Sequence, residues 1–171
     1  MERPNENEYA AFYAYYINLV PEGNVIDLMR TVHLETQSIL QQIPPSKGNY
    51  RYAPDKWSIK ELLQHMIDTE RIMNYRALRF ARKDTTELPG FEQDDYISAQ
   101  EETERFPLST FVEDWEILRE NTIRLFSRFN DEESKRTGKA SKVVFSVRAL
   151  AYINVGHELH HRNILLERYL K

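Results

Sequence analysis

Apolar residues recur every three to four positions along four long stretches of the chain, and this spacing predicts four amphipathic helices. The pattern places them at residues 26–43 and 58–82, from Pro107 to about residue 129, and at residues 147–169. No alternating run rich in Val, Ile or Thr and no Asn-Gly turn occurs, so no strand or hairpin is expected. The pattern therefore predicts an all-α fold, a four-helix bundle with an extra N-terminal helical segment.

The extra segment covers residues 8–19 and is rich in tyrosine. Tyr9, Tyr13 and Tyr16 fall on one stripe of a helix, so a short aromatic helix is expected. We expect it to lie against the outside of the core. The alternative is that its rings form an aromatic wall over a ligand pocket.

Helix starts and connections are also predicted from local residues. Ser58 and Glu61 form a capping box, and Ser146 is the predicted N-cap of the last helix. The third helix is expected to be capped by Ser109 or Thr110. Residues 84–107 lack a sustained apolar stripe, and so long a connection suits a crossover over the end of the bundle between the second and third helices.

Composition narrows the class of protein. The 171 residues fit one domain, residues 1–171, with 41% hydrophobic and 29% charged residues. The net charge of −4 argues against a nucleic-acid partner, and no apolar run approaches the roughly 18 residues of a membrane span. The N-terminus lacks a signal-peptide pattern, so a cytoplasmic location is expected. Because there is no cysteine, metal ligands must be nitrogen or oxygen.

Three of the five histidines fall within residues 157–161 of the last predicted helix. His157 and His161 are four residues apart, so their imidazoles share one helix face and can reach one metal ion. His160 falls on the flank, about 60° away from His157, and is a weaker ligand candidate. Gly156 in the middle of the helix predicts close approach of another helix or a ligand.

The same stretch matches the His-Glu-x-x-His motif of zinc proteases, in which the glutamate acts as general base. Such enzymes take a third ligand from downstream of the helix, but only ten residues follow His161. No predicted strand is available to hold a peptide substrate. We therefore interpret the match at Glu158 as coincidental.

His65 in the second predicted helix offers a different third ligand. On a helical wheel it faces the bundle interior, so His65, His157 and His161 can form a tripod of imidazoles with an open fourth position. Imidazole suits Zn, Ni and Fe, and the residues do not choose among these divalent metals. Asp68 and Asn154 lie one turn from a candidate ligand and could orient an imidazole, or they are ordinary polar residues of their helices.

Three segments resemble the DinB/YfiT-like superfamily. Residues 52–71, which contain His65, resemble its first signature, and residues 156–161 resemble its second. Residues 88–96 resemble the crossover segment of its DinB-like members. The resemblance implies an up-down-down-up bundle and a divalent metal held by His65, His157 and His161.

For function, the resemblance implies a metal-dependent enzyme, because characterised relatives include S-transferases that use a low-molecular-weight thiol. A thiol and an electrophilic substrate would then be the small-molecule partners, and the chain would need no cysteine nucleophile of its own. The alternatives are a metal-dependent hydrolase, or a non-enzymatic, stress-related bundle with a structural or vestigial metal. Catalytic residues stay unassigned. A homodimer is expected from the habit of the family and from Leu159 and Leu166 on the back of the last helix.

Overall fold

The computed structural model describes residues 1–171, apart from the side chain of Glu104. The four long helices are α2 (Val25–Leu40), α3 (Ile59–Ala81), α6 (Leu108–Ser127) and α8 (Val147–Ile164). The shorter helices are α1 (Ala14–Leu19), α4 (Gln93–Ala99), α5 (Glu102–Arg105) and α7 (Asp131–Lys135). Single turns of 3-10 helix cover Glu6–Glu8, Ala11–Tyr13 and Pro45–Lys47, and a π-helical turn, Leu165–Tyr169, continues α8. Within these residues, no helix is both long enough and apolar enough to cross a membrane.

The long helices form the predicted four-helix bundle. Both α2 and α3 pack against α6 and α8, so consecutive helices α2 and α3 lie diagonally across the bundle. Helix α2 runs parallel to α8, α3 runs parallel to α6, and α3 runs antiparallel to α8. The directions of α3 follow from its side-chain pairs with α6, Glu70–Arg119 and Asn74–Thr122, and with α8, His65–His161 and Asn74–Asn154. Helix α2 runs parallel to α8 because Val25 shares one apolar cluster with Leu150, and Leu40 shares the other with Leu165. The topology is therefore up-down-down-up, with the crossover of residues 82–107 joining two parallel helices.

Two helix starts follow the predicted capping chemistry. The Ser58 hydroxyl accepts the Glu61 N–H at 3.2 Å, and the Glu61 carboxylate accepts the Ser58 N–H at 2.6 Å. Ser146 caps α8 with its hydroxyl alone, which accepts the Ala149 N–H at 3.0 Å. The cap predicted for α6 is wrong, since that helix already begins at Leu108, after Pro107, without a side-chain cap. Leu108 is buried, and this burial favours a start earlier than the capping residues suggest.

A β-hairpin between α7 and α8 contradicts the expectation that the chain has no strands. Strands β1 (Thr137–Ala140) and β2 (Val143–Ser146) pair in antiparallel register. The turn residues Ser141 and Lys142 both have positive φ, a conformation that two-residue hairpin turns usually obtain from Asn-Gly. Packing stabilises the hairpin, because Ala140 and Phe145 are fully buried and Leu88 of the crossover bridges to Ala140.

The N-terminal segment packs along α8, as predicted. A Cβ atom at Gly156 would lie 2.0 Å from the Tyr16 carbonyl oxygen, so the glycine permits the close approach of α1. Glu8 forms an ion pair with Arg148 of α8. Burial raises the pKa of Glu8, but hydrogen bonds, chiefly from Arg148, outweigh burial and lower this pKa to about 2.

A polar layer divides the core into two apolar clusters. One cluster contains Met73, Phe80, Ile123 and Phe126, and the other contains residues such as Trp115. Between them, each long helix contributes polar or charged side chains that are nevertheless buried. These side chains are Thr36, His65, Glu70, Arg119, Thr122, His157, Glu158 and His161. The polar layer is therefore the part of the bundle in which chemistry is expected.

Candidate metal centre

Three histidines from two antiparallel helices meet in the polar layer. His65 lies in the second turn of α3, and His157 and His161 lie one turn apart on α8. The Nε2 atom of His157 is 3.0 Å from Nε2 of His65 and 3.0 Å from Nε2 of His161. The structure thus brings together the three imidazoles that the sequence predicts as a tripod.

The environment keeps these imidazoles neutral. Each of the three is less than 10% exposed. Burial, with a smaller contribution from His160, lowers the pKa of His65 to about 4. Burial also lowers the pKa of His157 and of His161 well below the usual 6.5, and the neighbouring imidazoles add to this effect. At neutral pH each ring therefore has one nitrogen lone pair, the form that binds a metal.

The donor set fits a divalent metal ion. In a neutral imidazole, Nε2 either donates one hydrogen bond or accepts one. Hydrogen bonding can therefore satisfy only one of the two contacts that Nε2 of His157 makes. A cation between the rings would satisfy all three lone pairs, and tetrahedral zinc would set neighbouring nitrogens roughly 3.3 Å apart, close to the observed spacing. Among the His, Asp and Glu side chains of the described residues, the cluster of possible ligands consists of these three histidines alone. The tripod thus leaves a coordination position without a protein ligand.

Two cavities reach the tripod from different directions. The first, the aromatic cavity, measures about 110 Å³ and is lined by His65 and His157 together with Phe12, Tyr13, Tyr16 and Phe91. The second, the polar cavity, measures about 350 Å³. Its lining includes Tyr52, Asp55, Lys56, Trp57, Asp94 and His161. Small molecules can therefore approach the imidazoles on an aromatic side and on a side that carries charged residues.

Comparison with known proteins agrees with this arrangement. The family model of the DinB superfamily matches residues 29–165, which contain all three histidines. The chain belongs to the DinB superfamily. A similar solved structure is YfiT from Bacillus subtilis, described as a probable metal-dependent hydrolase with an unusual four-helix bundle topology. It is 15% identical, superposes with a TM-score of 0.72, and the match covers 99% of this chain and 92% of YfiT. No curated protein matches the chain significantly.

The polar layer of this DinB-superfamily chain also contains a buried ion-pair network that sequence reasoning missed. Arg119 donates to both carboxylate oxygens of Glu70, at 2.9 and 2.7 Å, and also pairs with Glu158. The Thr122 hydroxyl donates to Glu70 as well. The sequence did contain a signal for this network. Arg119 lies four residues after Trp115, so it falls on the apolar stripe of α6 and is expected to face the core.

Glu158 takes part in this network. Its side chain is 1% exposed and is held by Arg119, so the carboxylate cannot act as the base of a protease motif. Burial raises the pKa of Glu158, and Arg119 opposes that shift. The match of Glu158 to the His-Glu-x-x-His motif is therefore coincidental, as predicted from the residues that follow His161.

The two residues predicted to orient an imidazole form their hydrogen bonds with other side chains. Asp68 accepts a hydrogen bond from Gln64 at 2.9 Å and pairs with Arg71, while burial raises the pKa of Asp68. Asn154 donates to the side-chain oxygen of Asn74 at 3.1 Å. Within the described residues, no hydrogen bond joins Asp68 or Asn154 to an imidazole, and an orienting role for them stays a prediction.

His160 lies outside the cluster, as its position on the helix flank predicts. Its Nδ1 is 3.3 Å from the hydroxyl of Tyr15 on α1, and its ring packs edge-on against Tyr15 and Tyr16. Because it is adjacent to His161 in sequence but not part of the tripod, His160 is a matched control for experiments on the metal centre.

Proposed function

We propose that His65, His157 and His161 hold a divalent cation, and that the protein is a metal-dependent hydrolase. The open position of the tripod, reached by cavities on two sides, carries the proposal. A structural metal site is normally closed by four protein ligands, whereas a catalytic site keeps one position free. The description of Bacillus subtilis YfiT as a probable metal-dependent hydrolase supports the same reading.

A bound divalent cation would polarise a carbonyl or lower the pKa of water or a thiol. The protein supplies three neutral imidazoles, fixed by their burial, that bind the ion without adding charge of their own. The aromatic cavity provides rings that bind an apolar part of a substrate and exclude water from the reacting bond. Lys56 and Asp94 in the polar cavity can bind polar groups on the other side.

Metal analysis of the purified protein tests the ligand set and identifies the metal among Zn, Ni and Fe. We expect the wild type to contain about one divalent ion per chain, and His65→Ala, His157→Ala and His161→Ala each to lose most of it, since losing one of three ligands removes a large part of the binding energy. His160→Ala is the control and should keep the ion. If His65→Ala binds as much metal as the wild type, the tripod is wrong.

Hydrolysis is then measured with an activated ester, nitrophenyl acetate, on protein stripped with a chelator and on protein reloaded with the native metal. We expect activity that returns with the metal and is lost in His157→Ala. An unchanged rate in the stripped protein, or equal rates in His157→Ala and wild type, would contradict the hydrolase proposal.

Thiol S-transfer is the second candidate, and the two separate cavities favour it. A reaction between a low-molecular-weight thiol and an electrophile needs room for two molecules at the metal, and the chain has no cysteine to serve as nucleophile. The same stripped and reloaded samples are assayed with N-acetylcysteine and chlorodinitrobenzene. Metal-dependent conjugation without ester hydrolysis would favour the transferase, and a bound metal with neither activity would favour a structural role.

A further inference from the structure

Arg76 on α3 is a buried cation for which the protein supplies no anionic partner. The side chain is 2% exposed. One terminal nitrogen, Nη2, donates to the carbonyl of Pro89 and to the hydroxyl of Ser141, each at 3.1 Å. The other, Nη1, meets the sulfur of Met73 at 3.8 Å, which is a weak acceptor. All of these partners are neutral.

The other two buried arginines have carboxylate partners. Arg119 is paired with two glutamates, and Arg148 is paired with Glu8 and Glu2. Within the described part of the chain, Arg76 is the buried arginine without a carboxylate. Burial lowers the pKa of Arg76, and the neutral Tyr13 hydroxyl is the group that opposes this shift. A guanidinium keeps its charge in proteins, so an uncompensated positive charge remains inside the fold.

This cation forms part of the wall of a cavity of about 290 Å³, distinct from the two cavities at the tripod. The crossover closes one side of the cavity, and α3 forms the other. Its remaining lining is largely apolar or aromatic and includes Ile72, Tyr75, Leu88, Phe91 and Tyr96. The guanidinium carbon of Arg76 lies 5.9 Å from the centre of the Phe91 ring. Within the described residues, no acidic side chain lines this cavity, and its other lining cation, Arg71, is already paired with Asp68.

We propose that this cavity is a binding site for a small carboxylate with a flat apolar body, and that Arg76 receives the carboxylate. The planar guanidinium matches the geometry of a carboxylate, and an anion there supplies the countercharge that the fold lacks. The rings and aliphatic side chains accept the apolar body. The volume lies at the small end of ligand pockets, which limits the ligand to roughly the size of a single substituted ring.

The site does not depend on the metal centre. Phe91 lines both this cavity and the aromatic cavity, but Arg76 lies eleven residues beyond His65, roughly 16 Å along the helix. The test is therefore made on protein stripped of metal, in which carboxylate binding to a metal ion cannot contribute.

Isothermal titration of the stripped wild type compares benzoate and phenylacetate with benzamide and phenylacetamide, which have the same shape but no charge. We expect both acids to bind at least about tenfold more tightly than their amides, because a charge-assisted pair is about twice as strong as a neutral hydrogen bond. Equal binding of acid and amide, or no binding of either acid, would overturn the proposal.

Two variants locate the site. Arg76→Gln should lose the preference for the acids, whereas Arg79→Gln, one turn along the same helix and paired with Asp84, should keep it. Retained acid binding in Arg76→Gln contradicts the proposal. If that variant fails to fold, Ile72→Trp is used instead, because it fills the cavity and leaves the guanidinium in place. Ile72→Trp should abolish acid binding, and unchanged binding in this variant would also contradict the proposal.

Discussion

Replacement of Gly156 by alanine should destabilise the protein, although alanine is the better helix former. The added Cβ would lie 2.0 Å from the carbonyl oxygen of Tyr16 and 2.5 Å from its carbonyl carbon. These are backbone atoms that cannot rotate away, so α1 must retreat by about 1 Å or more to restore a normal contact. Ile17 and Val20, which are 1% and 3% exposed, are drawn out of the core with it.

The magnitude follows from two opposing terms. Burial of Ile17 and Val20 contributes about 1.5–3 kcal/mol each, so detachment of α1 costs about 3–6 kcal/mol. Alanine in mid-helix returns about 1 kcal/mol relative to glycine. We therefore expect the free energy of unfolding to fall by about 2–5 kcal/mol. Tyr16 moves as well, and because its ring lies 5.5 Å from that of His157, the aromatic cavity should widen.

Equilibrium urea unfolding, followed by circular dichroism, measures this change, and limited proteolysis reports whether the N-terminal segment has detached. Asn163→Ala is the control, since it is an exposed position of the same helix and should change stability by no more than about 0.5 kcal/mol. A Gly156→Ala protein that is as stable as the wild type, or more stable, would refute the steric reasoning.

Three further predictions are tested by the same urea unfolding. Arg119→Met should lower the free energy of unfolding by about 3–5 kcal/mol, because it leaves the buried carboxylates of Glu70 and Glu158 without a countercharge. Glu158→Gln keeps the Arg119–Glu70 ion pair, so it should cost about 1 kcal/mol or less and retain metal. Equal costs for the two variants would contradict the network. The folded-state pKa of Glu8, about 2, lies below the ordinary 4.5, so its stabilisation is complete above pH 4.5 and is lost as the pH falls towards 2. Over that range the wild type should lose roughly 2 kcal/mol more than Glu8→Gln, in which Arg148 keeps only the exposed carboxylate of Glu2, and parallel pH profiles would argue against the Glu8–Arg148 ion pair. Ser58→Ala should cost about 1 kcal/mol through loss of the helix cap, and no change would mean that the cap is dispensable.

The topology could be only partly predicted from the pattern of the chain. Apolar periodicity gives the four helices, and the long segment before Pro107 indicates a crossover. Which helices become neighbours depends on packing between residues far apart in sequence. The ion pairs of Arg119 with Glu70 and Glu158 form because α3, α6 and α8 surround one point of the core. No local pattern contains that information.

The hairpin is a second structure that local residue preferences do not predict. Its turn residues, Ser141 and Lys142, have side chains that disfavour positive φ, so local preference argues against the turn. Burial of Phe145 and the close fit of Gly138 against the ring of Phe80 outweigh that preference. Tertiary contacts therefore decide a structure that the turn sequence alone would not form.

The sequence by itself determined the elements whose causes are local. The capping box at Ser58 and the shared face of His157 and His161 depend on residues within one or two turns of the same helix. The tertiary structure decided what depends on distant partners. It placed His65 against the histidine pair, gave Glu158 an arginine partner and left Arg76 without a carboxylate. Helix geometry fixes side-chain positions within a few residues, but the partner of a buried charge is set only when separate helices pack together.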